Sequence, residues 1–296
     1  MKKVLGITFF FLFSFCSKRE STLPRIIVPD VDNVVEVNTK GMLNNRPTLL
    51  GINFLNDTIL IKKNSNEKER SIVYLNADTI LPKYNLKIII DTSYTFHSKG
   101  FNYTNLPWPK PDENISELYP NQIEREQIVF KPYLDGLDKL RSTYVSSFPV
   151  LIYNLSNSNV YISTPSSIGD FHFIQQAKDA DGKWKPIEFQ KGWYNFGCGT
   201  SYNNNPNYLL LPKHFLATST IKYSGNFKTK IRIKMYSGNN YYYSNEVIGY
   251  INKSQFNQDF IKEYLKIRGF EQDLFVVDKD LMFLDIEKYL HKKHKF

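Results

Sequence analysis

From Arg25 onward, short apolar runs alternate with Asn, Asp, Gly and Pro, the habit of all-β domains. The pattern predicts strands over 25–29, 33–37, 48–54, 58–63, 70–75 and 86–96, with a turn at Asn56-Asp57. Pro107, Pro109, Pro111 and Pro120 then interrupt residues 97–122. Proline cannot donate to a central ladder, so this stretch reads as a long connection. Strands resume at Phe148–Tyr153, Asn159–Ser163, Phe171–Ala177, Lys183–Phe189, 208–211, 218–223, 227–236 and 241–251. Lys178–Gly182 between two of them reads as a hairpin turn, with glycine where positive φ carries no Cβ penalty. Over 254–268 the period changes. Phe256, Phe260, Ile261, Tyr264 and Leu265 fall at helical spacing, Ser254 caps the start and Gly269 ends it. A short strand at 274–277 and a helix over 280–291 are expected to follow.

The expected fold is mainly β: a β-rich region over 26–122, an antiparallel sandwich over 123–252 and a helical segment over 253–296. Whether 26–122 stands alone or donates strands to the sandwich is open at this level.

The first residues have a different character. Met1-Lys2-Lys3 is a short positive region, and Val4–Phe15 is apolar apart from Gly6, Thr8 and Ser14. That run is too short for a bilayer span of about 20 residues, and it suits a signal peptide. It ends at Cys16, followed by polar Ser17-Lys18-Arg19-Glu20. This resembles a bacterial lipoprotein signal, in which the chain is cut before a cysteine that is then acylated. Ser14 fits the pattern, whereas Phe15 departs from the small residue usual at its position. The resemblance implies a signal over 1–15, a polar tether over 16–25, lipidation of Cys16 with palmitate or a similar chain, and residence in the bacterial cell envelope, at the outer membrane.

A second resemblance rests on Pro149–Asn157, Ala177–Glu188, Phe227–Arg232 and Ser244–Glu246 before Gly249. These segments look like the immunoglobulin-like or fibronectin-like sandwiches of Gram-negative envelope lipoproteins. The resemblance implies an architecture and no activity, and the paired cysteines that flank a Trp in antibody domains are missing from this sequence.

Composition adds limits. The 296 residues are 42% hydrophobic, enough for a sizeable core, and 15% aromatic, which suits sheets. Two cysteines exclude a disulfide-dense scaffold and a cysteine-rich metal centre. The formal charge is +9, or +7 once Lys2 and Lys3 leave with the signal (9 − 2). The lysines are scattered among Asp and Glu, and they accompany the Asn, Ile and Tyr that AT-rich coding over-supplies. Nucleic acid is therefore not the favoured partner.

One strand organises its charge. In Phe227–Met235, alternation places Lys228, Lys230, Arg232 and Lys234 on one face, a stripe roughly 20 Å long. It is either a docking surface for an acidic partner or a solvated face paired with neighbouring carboxylates. Trp193, Tyr194, Tyr202, Tyr241, Tyr242 and Tyr243 lie beside Asn residues, a combination suited to sugar or protein recognition; packing in a sandwich core is the plainer account. Cys198 between two glycines, with His172 and His214, is the material for an envelope hydrolase, the alternative from a different class. Asp170 and His172 share a strand face, but no third metal ligand is evident, so neither metal nor cofactor is expected. No nucleophile-elbow, zincin, Walker or dinucleotide pattern occurs. The leading expectation is a non-enzymatic, lipid-anchored module that binds a protein or glycan.

Radiolabelled palmitate fed to expressing cells is expected to enter the wild-type protein and not Cys16→Ala; equal incorporation into both would overturn the anchor.

Overall fold

A computed structural model describes residues 23–28, 30–44, 47, 49–54, 59–60, 72–76, 81–99, 128, 131, 135, 143–164, 171–190, 204–238, 240–259 and 283. The strands among them are β1 (Ile26–Ile27), β2 (Val34–Val35), β3 (Leu43–Asn44), β4 (Gly51–Phe54), β5 (Ile59–Leu60), β6 (Ile72–Asn76), β7 (Leu86–Ile90), β8 (Phe96–Lys99) and β9 (Tyr144–Asn154). They continue as β10 (Val160–Ser163), β11 (Phe173–Lys178), β12 (Trp184–Pro186), β13 (Glu188–Phe189), β14 (Asn204–Leu210), β15 (His214–Ile221), β16 (Phe227–Ser237), β17 (Asn240–Tyr243) and β18 (Val247–Ile251). The fold is mainly β and its sheets are mostly antiparallel.

The early strands do not stand apart. β4 pairs with β15, β6 with β14, and β7 and β8 with β9, all antiparallel; β2 joins β9 and β3 joins β13 in parallel. The region before residue 100 thus donates strands to sheets built around the later ones.

Two 11-residue strands organise the molecule. β9 carries β15 along Ser147–Tyr153, and β7 followed by β8 runs beside it as one interrupted strand. The interruption, residues 91–95, lies opposite Pro149, whose carbonyl accepts from the Asp91 N–H at 3.0 Å. A strand residue directs its N–H and C=O to the same side. The donor that Pro149 lacks is therefore missing on the flank where β7 gives way to β8. That break is what allows a proline inside a central strand.

β16 is built likewise. β11 pairs with one flank, while β17 takes Lys234–Ser237 and β18 takes Phe227–Ile231, with Ser244–Glu246 as the break between them. Ser244 bridges it: its Oγ accepts from the Ile233 N–H at 2.8 Å, and its own N–H donates to the Ile233 carbonyl at 3.1 Å. The single strands expected over 86–96 and 241–251 are each two strands with a break in the middle.

The two breaks interlock. The Asn245 Oδ1 accepts from the Ile90 N–H at 2.7 Å, and its Nδ2 donates to the Ile90 carbonyl at 3.1 Å. A side-chain amide thus pairs with both backbone groups of one strand residue. Next to this clasp, Ile88 bridges Ser244, and the Tyr84 N–H donates to the Tyr242 hydroxyl at 3.0 Å. Both sheets feed one apolar core that includes Ile88, Ile90, Ile152, Phe173, Ile233 and Met235. Leu151, Tyr153, Phe215 and Ala217 point to the other side of the β9–β15 pair, where Ile26 and Leu23 cover them. Burial on both faces explains why β9 reads as the unbroken apolar run Val150–Tyr153 rather than as an alternation.

Local chemistry supports the turns. Gly182 has φ +76°, and the Asp179 carboxylate accepts from the Asp181 and Lys183 N–H groups. Buried Asn154 uses its whole carboxamide: Ser156 N–H and Oγ donate to its Oδ1, and its Nδ2 donates to the Ser158 and Leu210 carbonyls. Of the helix expected over 254–268, residues 260–268 lie outside the described residues. Lys253–Phe256 form a 3₁₀ turn, entered at Asn252, whose N–H donates to the Gln255 Oε1 at 3.0 Å. Asn252 caps this turn, and the Gln255 side chain reaches back to it. The segments expected at 274–277 and 280–291 lie outside the described residues apart from Phe283.

Asn245→Ala removes both partners of Ile90 and is expected to destabilise the fold by about 2 kcal/mol in chemical denaturation; a loss below about 0.5 kcal/mol, the scale of an ordinary surface change, would show that the clasp is not structural.

Candidate functional site

The outer face of the β16 sheet gathers most of the expected side chains that lie among the described residues. Arg232 leaves β16 with an aromatic ring on either flank: its guanidinium carbon is 4.2 Å from the Trp184 centroid on β12 and 4.1 Å from the Tyr243 centroid on β17. Its Nε donates to the Gln176 Oε1 at 3.0 Å. Partial desolvation between the rings lowers the Arg232 pKa. A planar cation held between two rings is fixed in position as well as attracted. Lys178 extends the row, 5.2 Å from the Trp184 ring.

The rest of the stripe divides by environment. Lys230 pairs with Glu246 at 2.7 Å, and this hydrogen bond lowers the Glu246 pKa. Both groups are exposed, so the pair fixes geometry more than stability. Lys234 is buried, 4.8 Å from the Tyr241 ring, with its Nζ donating to the Phe283 carbonyl at 3.3 Å. Lys228 at the far end is exposed. In the expected stripe Lys228 and Lys230 are therefore exposed, the latter paired with Glu246, whereas Arg232 is half-buried and Lys234 buried.

Strand alternation separates the three adjacent tyrosines. Tyr241 and Tyr243 lie on the cation face, whereas Tyr242 turns into the core and uses its hydroxyl on the Tyr84 N–H. Tyr242 is thereby a core residue, not part of an exposed recognition surface. Beside this face β18 exposes Ile248 (52%) and Tyr250 (48%), which sequence reading passed over. Their signal was available, since alternation about inward Val247 and Gly249 sends both outward. Trp193, Tyr194, Tyr202, Cys198 and Cys16 lie outside the described residues.

The two histidines occupy different surroundings. His214 opens β15, with its Nδ1 2.9 Å from the Pro212 carbonyl. His172 is buried just before β11, next to Gln190, whose amide donates to the Phe171 carbonyl. Burial pulls the His172 pKa from its ordinary 6.5 down to about 3, against a smaller opposing effect of Gln190. The ring is thus neutral across the physiological range.

A second polar constellation escaped sequence reading entirely. Glu188 is fully buried, and three donors converge on its oxygens: the Gln175 N–H and Nε2 and the Tyr223 hydroxyl, each at 2.8 Å. Gln175 Nε2 also donates to the Ile221 carbonyl at 3.0 Å. The network joins β11, β13 and the end of β15, and hydrogen bonding is what makes a buried carboxyl tolerable. It underlies a cleft of about 370 Å³ between residues 92–95 and β18.

Among the described residues, no three His, Cys, Asp or Glu side chains gather as a metal site, and no helix is long and apolar enough to cross a membrane. Comparison of the chain with protein-family models, curated proteins and solved structures finds no match in any of the three.

His172 makes a pH prediction. The unfolded chain takes up its proton near pH 6.5, whereas the folded chain resists protonation down to about pH 3. Between these values the unfolded state binds more protons, so stability falls as pH falls, with a slope approaching about 1.4 kcal/mol per pH unit. Denaturation measured from pH 7 to pH 4 is expected to show this loss, and His172→Gln to flatten it; an unchanged slope in the variant would contradict the assignment.

Proposed function

We propose that the chain is a lipid-anchored envelope protein of the immunoglobulin-like sandwich type that acts by binding, with the outer face of the β16 sheet as its contact surface and a protein as its partner. The carrying observation is the composition of that face: Tyr243, Ile248 and Tyr250 stand exposed beside Lys228 and the Lys230–Glu246 pair. Trp184 and Tyr243 are meanwhile held in place through Arg232. Rigid rings with a cation between them lose little conformational freedom on binding, which is how interface anchors work. Exposed aliphatic Ile248 favours a protein over a glycan, because a branched alkyl group has no flat face for a sugar ring. Lys228 and Lys230 suit acidic groups on the partner. Acylation at Cys16 would supply location, and since one chain gives only marginal anchoring, the reading includes a second membrane signal.

The test is cross-linking in intact membranes followed by purification, with the wild type beside the triple variant Tyr243→Ser, Ile248→Ser, Tyr250→Ser. The expected result is one saturable cross-linked protein with the wild type, lost in a variant of unchanged circular dichroism. Equal cross-linking in both would remove the face from the interface, and capture of glycan instead of protein would change the partner class.

A further inference from the structure

We infer that the cleft between residues 92–95 and β18 is a binding site for a small uncharged molecule carrying an alcohol or phenol hydroxyl on an apolar body. The cleft shares Ile248 and Tyr250 with the face assigned to protein contact, while Val247 and Gly249 line it from the inward side of β18. The cleft lies where both long sheets are interrupted. One wall is the segment that bulges opposite Pro149; the other is Val247–Tyr250, which resumes pairing with β16 after the Ser244–Glu246 break. The opening thus follows from strand architecture.

Its lining sets the ligand chemistry. Ile90, Phe148, Ile221, Ile231 and Val247 supply apolar walls, residues 92–95 and Tyr223 add hydroxyl-bearing side chains beside them, and Gly249 leaves room for the Ile231 side chain on the β18 side. Lys222 sits 5.8 Å from the Phe148 ring at the margin. Two of the buried lining residues keep unused hydrogen-bonding capacity. Thr220 is 1% exposed, and its Oγ1 is buried without a hydrogen-bond partner. A buried hydroxyl left so costs free energy, and a ligand group that pairs with it recovers that cost. Gln175 is the second. Both its amide hydrogens are used, on Glu188 and on the Ile221 carbonyl, which leaves Oε1 as its remaining acceptor.

One ligand hydroxyl satisfies both, donating to Gln175 Oε1 and accepting from Thr220 Oγ1. A carboxylate suits the site poorly: it brings only acceptors toward the Gln175 oxygen, with the Glu188 oxygens directly behind. At about 370 Å³ the space is within the range of small-molecule pockets.

The full-length protein is titrated into 4-fluorophenol and, separately, 4-fluorobenzoate, with binding read from the fluorine NMR signal. Saturable binding of 4-fluorophenol, much weaker binding of 4-fluorobenzoate, and a loss of about tenfold or more in phenol affinity for Thr220→Val are expected, tenfold being the worth of one good hydrogen bond. Thr220→Val keeps the side-chain shape and removes an unpaired hydroxyl, so its unfolding midpoint is expected not to fall. Hydrogen exchange on the wild type gives a readout independent of that variant: saturating 4-fluorophenol is expected to slow exchange over 92–95 and 247–250. No saturable phenol binding, benzoate binding as tight as phenol, equal phenol affinity in a folded Thr220→Val, or protection elsewhere would each overturn the inference.

Discussion

The pairing of the Asn245 carboxamide with both backbone groups of Ile90 is the contact on which the arrangement of the two sheets turns. Ile90 ends β7, with the bulge at 91–95 after it, and its outward N–H and C=O have no continuing strand to meet. A buried backbone group without a partner costs about as much as a lost hydrogen bond. Asn245 meets both requirements from a break in the other sheet, so each interruption is satisfied by the other. Ile88 with Ser244 and Tyr84 with Tyr242 extend the contact to one side of the clasp.

Several features follow from these breaks. Pro149 is accommodated because the ladder beside it has already ended. The cleft lies where residues 92–95 leave their sheet close to the Ser244–Glu246 break that precedes β18, and the Glu188 network supports its floor without closing it. On the opposite face of the β16 sheet, regular pairing continues, and Arg232 can stand between Trp184 and Tyr243 only because β12, β11, β16 and β17 stay in register there. One sheet therefore presents a rigid outer surface and a recessed inner edge.

Much of this was legible in the residues. Alternation in Phe227–Met235 correctly separated inward Ile231, Ile233 and Met235 from outward Lys230 and Arg232. The Asp179–Gly182 turn was readable because positive φ and Asx hydrogen bonding depend on local residue type. The breaks were not readable. Asp91–Thr95 and Ser244–Glu246 contain neither proline nor glycine, and the partner that matches each break is distant in sequence: Pro149 opposite the first, the Ile90 backbone against the second. Glu188 lay hidden for the same reason: its partners Gln175 and Tyr223 are 13 and 35 residues away, and no periodicity announces a carboxylate with three donors. The stripe showed its charge in sequence but not its anchoring, since the rings that hold Arg232 come from strands before and after it.

The central claim is that two strand breaks are held by one side-chain amide. Hydrogen exchange at the Ile90 amide tests it most directly, compared between the wild type and a folded Asn245→Ala. Strong protection of Ile90 in the wild type, lost in the variant while the Ile152 and Ile233 amides on the central strands stay protected, is the predicted result. Unchanged protection of Ile90 without the Asn245 side chain would contradict it.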